Sequence, residues 1–255
     1  MQIFTHDGLH IAYIDAPPTG ADLGEPILLI HGFASSHAVN WVNTQWVKTL
    51  TEAGRRVIAF DNRGHGSSDK PHDPAAYALP VMAGDARALL DHLGVVTADV
   101  IGYSMGARIA TFLTLANQAR VRSLVLGGLG QHLVTASNLP LAIAEAMDAP
   151  ALESLVDPTQ RMFRAFADAN KADRQALAAC IRGTRQTVTP ADVASIGCPL
   201  LVAIGTKDAI AGDPHALAAM APRGEALEIP GRDHNLAVGD RVYKQGVLTF
   251  LGKRP

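Results

Sequence analysis

The stretch "VIGYSMGARIATF", residues 100–112, joins an apolar run to an amphipathic one at a single serine. Ser104 lies between Gly102 and Gly106, so the segment carries the pattern G-x-S-x-G. The residues before it predict a buried strand and those after it a helix. Glycines on both sides of a sharp strand-to-helix turn leave room for a strained backbone at the middle residue. We expect the Ser104 hydroxyl to project above the strand end; the alternative is that Ser104 only caps the helix.

Around this stretch, short apolar runs alternate with segments of helical spacing. The runs are HIAYI (10–14), PILLIH (26–31), RRVIAF (55–60), ADVIGY (98–103), VRSLVLG (121–127), PLLVAIG (199–205) and EALEIP (225–230). The helical segments span 41–53, 81–93, 105–117, 214–221 and 240–251. This alternation predicts an α/β fold with a doubly wound, mostly parallel sheet that is flanked by helices and whose first strands are antiparallel.

The alternation stops between residues 129 and 190, where apolar residues recur at helical spacing among several prolines. We interpret this segment as a helical lid inserted after the sixth strand, VRSLVLG. The α/β core would then comprise residues 1–128 and 191–255. Ligands of open α/β sheets bind at the carboxyl ends of the strands, and the insertion is expected to lie above those ends.

The composition is that of a globular protein, with 48% hydrophobic and 18% charged residues. A net charge of -2 does not indicate binding to nucleic acid. The sequence contains no 18-residue apolar run that would predict insertion into a membrane. The N-terminal residues lack the pattern of a signal peptide, so we expect a cytoplasmic protein. The two cysteines, Cys180 and Cys198, are expected to be free thiols without a catalytic role.

A serine nucleophile needs a base and a carboxylate that orients the base. His234, in "GRDHNLAV", follows the last apolar run, and Asp208 follows the run PLLVAIG. The order Ser104, Asp208, His234 is that of α/β hydrolases. Two other acids compete with Asp208: Asp213 is expected to cap a helix that begins at Pro214, and the Asp233 side chain is expected to point away from its neighbour His234.

From "LLIHGF" through "DNRGHGSSDKP", "VIGYSMG", "GTKDAI" and "GRDHN", the sequence resembles α/β-hydrolase-fold serine hydrolases of the carboxylesterase, enol-lactonase and cofactor-free haloperoxidase kind. The resemblance covers residues 2–251 and is weak across 129–190. It implies an oxyanion hole formed by the backbone N–H groups of Phe33 and Met105. Dehalogenases and soluble epoxide hydrolases of this fold carry aspartate where this chain has Ser104. His31, in "LIHGF", is an alternative base, although a histidine that ends a buried strand more often has a structural role.

The loop "DNRGHGSSD", residues 61–69, places Asp61, His65 and Asp69 close together in sequence. A metal site is one interpretation of this cluster. No helical or strand period puts the three residues on one face, however, and the resemblance implies a structural loop. We therefore predict no metal site and no cofactor.

Apolar residues of the inserted segment are candidates for the wall of a substrate pocket. They are Met147, Met162, Phe163 and Phe166, and His132 is added only for its position. Their helical spacing predicts equally well that they pack the insertion against the core.

These features predict a serine hydrolase that cleaves carboxylic ester bonds of small substrates through a Ser-His-Asp triad and an acyl-enzyme. The same triad would serve a lactonase, a C–C bond hydrolase or a perhydrolase. An alternative of another class is a small-molecule receptor with slow turnover. The oligomeric state cannot be predicted from these patterns.

Overall fold

A single mostly parallel sheet organises the chain in the computed structural model, which describes residues 1–135 and 139–253. Its eight strands, in chain order, are β1 (Gln2–His6), β2 (Leu9–Ala16), β3 (Ile27–Ile30), β4 (Val57–Phe60), β5 (Ala98–Tyr103), β6 (Val121–Gly127), β7 (Leu200–Gly205) and β8 (Gly224–Ile229). Across the sheet the order is β1-β2-β4-β3-β5-β6-β7-β8. Only the pairings of β2 with β1 and β4 are antiparallel, as the sequence predicts for the first strands.

Helices cover both faces of this sheet. They are α1 (Trp46–Glu52), α2 (Leu79–His92), α3 (Met105–Ala116), α4 (His132–Thr135), α5 (Leu141–Asp148), α6 (Pro158–Ala169), α7 (Arg174–Gly183), α8 (Pro190–Ala194), α9 (Pro214–Ala218), α10 (His234–Ala237) and α11 (Arg241–Lys253). A π-helical turn spans Ala38–Val42, and 3-10 turns span Pro74–Tyr77, Gln118–Arg120 and Leu152–Ser154.

The central strands are buried on both faces, which explains their continuous apolar sequences. In β3, Leu28 and Ile30 belong to the core on the side of α2 and α3. Ile27 and Leu29 belong to the opposite core, with Trp46. Because side chains alternate across a strand, each strand contributes to two hydrophobic layers. The doubly wound fold follows from this double burial.

Strand β1 is the one strand that the list of apolar runs omits. With β1 included, the run VRSLVLG forms the sixth strand, β6. It lies at the sheet edge, and only Phe4 of its five residues is buried, so its sequence lacks an apolar run. The predicted helix at 41–53 is also interrupted, because α1 begins at Trp46 after Gln45 with a φ of 68°.

The segment between β6 and α8 is helical where the structure describes it, and α4 to α7 lie in it. It packs over the carboxyl end of the sheet through several contacts. The ring centroids of Phe163 and Phe33 are 6.0 Å apart, and the Asn170 side chain donates a hydrogen bond to the Ala34 carbonyl. In α7, Cys180 Sγ lies 3.6 Å from Met105 Sδ. These contacts bring the segment over the residues on both sides of Ser104.

Candidate active site

Ser104 occupies a strained turn between β5 and α3. Its φ of 55° and ψ of -114° lie in a region that residues with side chains rarely adopt. The flanking glycines permit this turn because the backbone is crowded there: a Cβ on Gly102 would lie 2.3 Å from the Gly106 carbonyl oxygen. A Cβ on Gly106 would lie 2.1 Å from the Ile30 carbonyl oxygen. The G-x-S-x-G pattern is therefore a steric requirement of this turn.

The Ser104 hydroxyl does not cap α3. Its side chain accepts no hydrogen bond from the first turn of the helix. Instead, Ser104 Oγ lies 3.0 Å from His234 Nε2. The capping interpretation of Ser104 is thus wrong, because the strained backbone directs the side chain away from the helix and toward His234.

His234 is the first residue of α10 and is held at both its backbone and its ring. The Tyr103 hydroxyl donates a 2.7 Å hydrogen bond to the His234 carbonyl. Asp233 caps α10 by accepting hydrogen bonds from the N–H groups of Asn235 and Leu236. The prediction that the Asp233 side chain points elsewhere is confirmed. The His234 ring retains 11% exposure, so its Nε2 edge reaches the cleft at Ser104.

Asp208 lies behind the His234 ring. Its Oδ2 is 2.7 Å from His234 Nδ1, and its side chain is fully buried. Its Oδ1 accepts hydrogen bonds from the N–H groups of Ile210 at 2.8 Å and Ala211 at 3.1 Å. An ionised carboxylate at this point requires Nδ1 to donate, which leaves the Nε2 lone pair facing Ser104. The competing acid, Asp213, caps α9 as predicted.

The predicted oxyanion-hole residues are Phe33, which follows the end of β3, and Met105, the first residue of α3. Within the described residues, neither backbone N–H takes part in a hydrogen bond. The neighbouring Gly32 N–H, in contrast, donates to Asn40 Oδ1 at 2.8 Å. A Cβ on Gly32 would lie 3.4 Å from Ser104 Cβ, so this loop approaches the hydroxyl closely. Asn40 thus fixes the loop and leaves the next N–H available, a role that the sequence analysis missed.

Two cavities meet at Ser104 and Phe163. The first has a volume of about 190 Å³, and the predicted pocket residues Met162, Phe163 and Phe166 line it. The second has a volume of about 360 Å³, and His132 and Phe163 line it. Both walls are mostly apolar, as expected for a small-molecule site.

Met147 is the predicted pocket residue that lies away from both cavities. It is 2% exposed and belongs to the hydrophobic core, and it lines neither cavity. Its helix, α5, packs against α6 and α7, and this packing buries Met147 within the inserted segment. Helical spacing could not distinguish this inward-facing position from the cavity-facing positions on α6.

His31 is buried inside the core and is engaged at both ring nitrogens. Nδ1 is 2.8 Å from the Gly32 carbonyl oxygen, and Nε2 accepts a hydrogen bond from the Asn62 N–H. Burial lowers the pKa of His31 to about 4. This histidine has a structural role, as the sequence favours, and it does not face Ser104.

The loop at 61–69 is a network of hydrogen bonds. Asp61 accepts from the His37 ring and from the Ser67 N–H, whereas Asp69 interacts with His10. The His65 ring contacts the Arg63 carbonyl through Nδ1. Within the described residues, no cluster of histidine, cysteine and acidic side chains is arranged to hold a metal ion.

Both cysteines are free and lie outside the site. Burial raises the pKa of the Cys198 thiol to about 11 and raises that of Cys180 further. A thiol with a raised pKa is a poor nucleophile near neutral pH.

Across the described part of the chain, no helix is long and apolar enough to cross a membrane.

A family model described as "alpha/beta hydrolase fold" matches residues 25–174, which is more than half of the chain. This chain belongs to the alpha/beta-hydrolase-fold family. The region matched in this alpha/beta hydrolase includes the strained turn at Ser104 and ends in the inserted segment.

Individual relatives of this alpha/beta hydrolase have diverse names. The dihydrolipoyllysine-residue acetyltransferase component of the acetoin cleaving system of Pseudomonas putida is 31% identical over 258 residues, which cover 92% of this chain and 65% of that protein. The 2-hydroxymuconate semialdehyde hydrolase of Pseudomonas sp. strain CF600 is 36% identical over 126 residues, covering 49% of this chain and 41% of that protein. The chain therefore spans less than two thirds of the length of these relatives.

A solved structure of a hydrolase from Pseudomonas aeruginosa PA01 superimposes on this alpha/beta hydrolase with a TM-score of 0.72. The two sequences are 27% identical, and 98% of each chain is covered. The likeness thus extends over nearly the whole chain.

Proposed function

We propose that this alpha/beta hydrolase cleaves carboxylic ester bonds of small molecules through an acyl-enzyme on Ser104. One observation carries the proposal: Ser104 Oγ, the His234 ring and the Asp208 carboxylate are joined by contacts of 3.0 and 2.7 Å. A serine hydroxyl becomes a nucleophile when an adjacent base can take its proton, and this arrangement supplies that base.

In the first step, Ser104 Oγ attacks the ester carbonyl carbon while its proton passes to His234 Nε2. Asp208 stabilises the resulting imidazolium through Nδ1, and it stays ionised. The Phe33 and Met105 N–H groups would hydrogen-bond the oxyanion, and such a donor typically contributes about 2.7 to 4 kcal/mol to transition-state stabilisation. Collapse of the intermediate breaks the bond to the alcohol oxygen, which takes the proton from Nε2.

In the second step, His234 removes a proton from water, and the resulting hydroxide attacks the acyl carbon. The Ser104 oxygen leaves and recovers its proton from Nε2. Three side chains, two backbone N–H groups and water account for every bond and proton, so the proposed mechanism needs no cofactor. We propose further that residues 129–190 act as the lid, because Phe163 of α6 lines both cavities at Ser104.

The direct test is the hydrolysis of p-nitrophenyl butyrate by the purified protein and by Ser104→Ala. Removal of the nucleophile is expected to lower kcat by on the order of a millionfold, as in other serine hydrolases. A phosphonate ester should attach to Ser104 in the wild-type protein, and peptide mass spectrometry would locate the adduct. Near wild-type turnover by Ser104→Ala would contradict the mechanism, whereas Ser195→Ala, an exposed serine after α8, serves as the control.

The same triad is compatible with other acyl-transfer substrates. One relative is a 2-hydroxymuconate semialdehyde hydrolase, so a panel of esters, lactones and vinylogous diketones should be assayed at one pH, with and without peroxide. The highest kcat/KM would identify the reaction class. A receptor on this fold would instead bind one compound tightly and turn over every ester very slowly.

A further inference from the structure

The second cavity at Ser104 contains a buried cation. Arg108 lies one helical turn after Ser104 on α3, is only 4% exposed, and lines this cavity together with Met105, His132 and Phe163. A charged side chain is an unusual component of α3, whose other buried residues are apolar, glycine or threonine. The wall of the first cavity has no such cation among its described residues.

The partners of Arg108 are neutral. Its guanidinium donates hydrogen bonds to the carbonyl oxygens of His132 at 2.7 Å and Leu133 at 3.2 Å. No carboxylate of the described residues lies within ion-pair distance of it. Burial and, to a smaller extent, the nearby Arg185 guanidinium together lower the pKa of Arg108 to about 10.

Among the described residues, no acidic side chain lines the cavity around Arg108. Arg185, the adjacent cation, donates to the Leu139 and Thr184 carbonyls. Asp208 precedes the lining residues Ala209 and Ile210, but its side chain is fully buried and is occupied by His234 and two backbone N–H groups. Buried charges in proteins are normally paired, since an uncompensated one is costly.

We propose that Arg108 binds an anionic group, a carboxylate, on the substrate, so that the preferred esters carry a carboxylate on the part that enters the second cavity. This inference rests on the proposed ester hydrolysis and specifies its substrate class. Arginine suits the role because its planar guanidinium offers several N–H donors and forms paired hydrogen bonds with a carboxylate. Two of those donors hold the backbone carbonyls, and the fork retains others for a ligand.

A purely structural role for Arg108 is the competing explanation, since the two hydrogen bonds tie α3 to α4. A structural role predicts a change in stability with no discrimination between neutral and anionic substrates. A binding role predicts that discrimination in the wild-type protein. Substrate preference therefore separates the two explanations without any mutation.

The first experiment compares matched esters with the wild-type protein at constant ionic strength. One pair places the charge on the acyl part: mono-p-nitrophenyl adipate against p-nitrophenyl hexanoate. The other pair places it on the alcohol part: 4-carboxyphenyl butyrate against phenyl butyrate. We expect kcat/KM to favour the anionic member of one pair by on the order of tenfold to a hundredfold, the usual worth of a charge-assisted hydrogen bond.

The second experiment measures the same ratio in variants. Arg108→Met is expected to abolish the preference while neutral esters are still cleaved, and Arg108→Lys is expected to retain part of it. Arg182→Met is the matched control: Arg182 lies on α7 in the inserted segment, is 43% exposed and pairs with Asp148. Its loss should leave the preference unchanged.

The outcomes separate the inference from the proposed function. Ser104-dependent hydrolysis with no anionic preference in either pair would overturn the role of Arg108 and leave the ester hydrolase standing. If no ester is hydrolysed, calorimetric binding of mono-p-nitrophenyl adipate and p-nitrophenyl hexanoate to Ser104→Ala decides the matter. Tighter binding of the adipate, lost on adding Arg108→Met, would support the anion site, and equal binding would refute it.

Discussion

Two histidine–aspartate pairs in this alpha/beta hydrolase have the same 2.7 Å separation and different surroundings. His234 and Asp208 lie at the carboxyl end of the sheet, where the ring reaches Ser104. His37 and Asp61 lie in the loops before the π-helical turn and after β4, where Asp61 also accepts hydrogen bonds from two backbone N–H groups. A short contact between histidine and aspartate therefore does not define a catalytic pair; a hydroxyl and a cleft beside it do.

The largest difference between the pairs should appear when each histidine is removed. We expect His234→Ala to lower kcat for p-nitrophenyl butyrate by on the order of a millionfold, close to the effect of losing the nucleophile. His37→Ala should instead reduce the free energy of unfolding and leave most of the activity per folded molecule. Steady-state kinetics and urea denaturation on both variants measure this contrast, and equal activity losses would contradict it.

Replacing each aspartate by asparagine sharpens the same comparison. Asp208→Asn allows the His234 ring to adopt the wrong tautomer, and kcat is expected to fall about ten-thousandfold. Asp61→Asn breaks a buried network, at an expected cost of about 3 to 5 kcal/mol in unfolding free energy. The measurements are kcat and the urea midpoint; a larger kcat loss in Asp61→Asn than in Asp208→Asn would assign chemistry to the wrong pair.

The unfolding free energy at acid pH should depend on the buried histidines beside the His37–Asp61 pair. Burial lowers the pKa of His31 to about 4 and that of His65 to about 3, so both are neutral in the folded state. Below pH 6.5 the unfolded chain takes up protons that the folded chain excludes. Unfolding free energy should therefore fall as the pH drops from about 6.5 toward 4, by a few kcal/mol.

Asp61 extends this loss to lower pH. Burial would raise its pKa, but the hydrogen bond from His37 and the neighbouring imidazoles lower it to about 2. Its contribution is present above the unfolded pKa near 3.8 and is lost as the pH falls toward 2. Urea denaturation between pH 2 and 8 measures the slope, and His65→Gln should reduce its part between pH 6.5 and 3. His215→Gln, at a histidine that is 65% exposed, should leave the slope unchanged.

The smallest effect is expected where the backbone of the catalytic pair is held. Tyr103→Phe removes the hydrogen bond to the His234 carbonyl and should cost about 1 kcal/mol in stability. If that bond also positions the ring, kcat should fall about fivefold. Tyr13→Phe, which removes a 2.8 Å hydrogen bond to Gln2 far from the site, is the control. A kcat unchanged in both variants would limit Tyr103 to a structural role.

The sequence predicted those parts of the site that local sterics determine. The glycines around Ser104 and the apolar strands are visible in short stretches of sequence. The order of Ser104, Asp208 and His234 can be compared with a known order along the chain. The amphipathic edge strand β1 left no apolar run, and Met147 shares its helical spacing with residues that line the cavities. Such positions depend on which neighbour packs against each face, and spacing alone does not specify that neighbour.

Asn40 and Arg108 were missed for related reasons. Asn40 accepts a hydrogen bond from the Gly32 backbone N–H, eight residues earlier, and no helical or strand period links these two positions. Arg108 lies in the stretch "SMGARIATF", and its charge in a helix with no other charged residue was the available signal. A cation in a segment that is predicted to be buried indicates that some group must neutralise its charge.

The separation of the proposed triad residues along the chain also has a consequence for folding. Ser104 and His234 are 130 residues apart, and the strands that precede Asp208 and His234, β7 and β8, lie at one edge of the sheet. Contacts between distant residues form slowly because closing a long loop costs entropy. Return of the proposed esterase activity during refolding would thus mark the docking of β7 and β8 onto β6, and a partly folded chain with only β1 to β6 assembled would carry an inert serine.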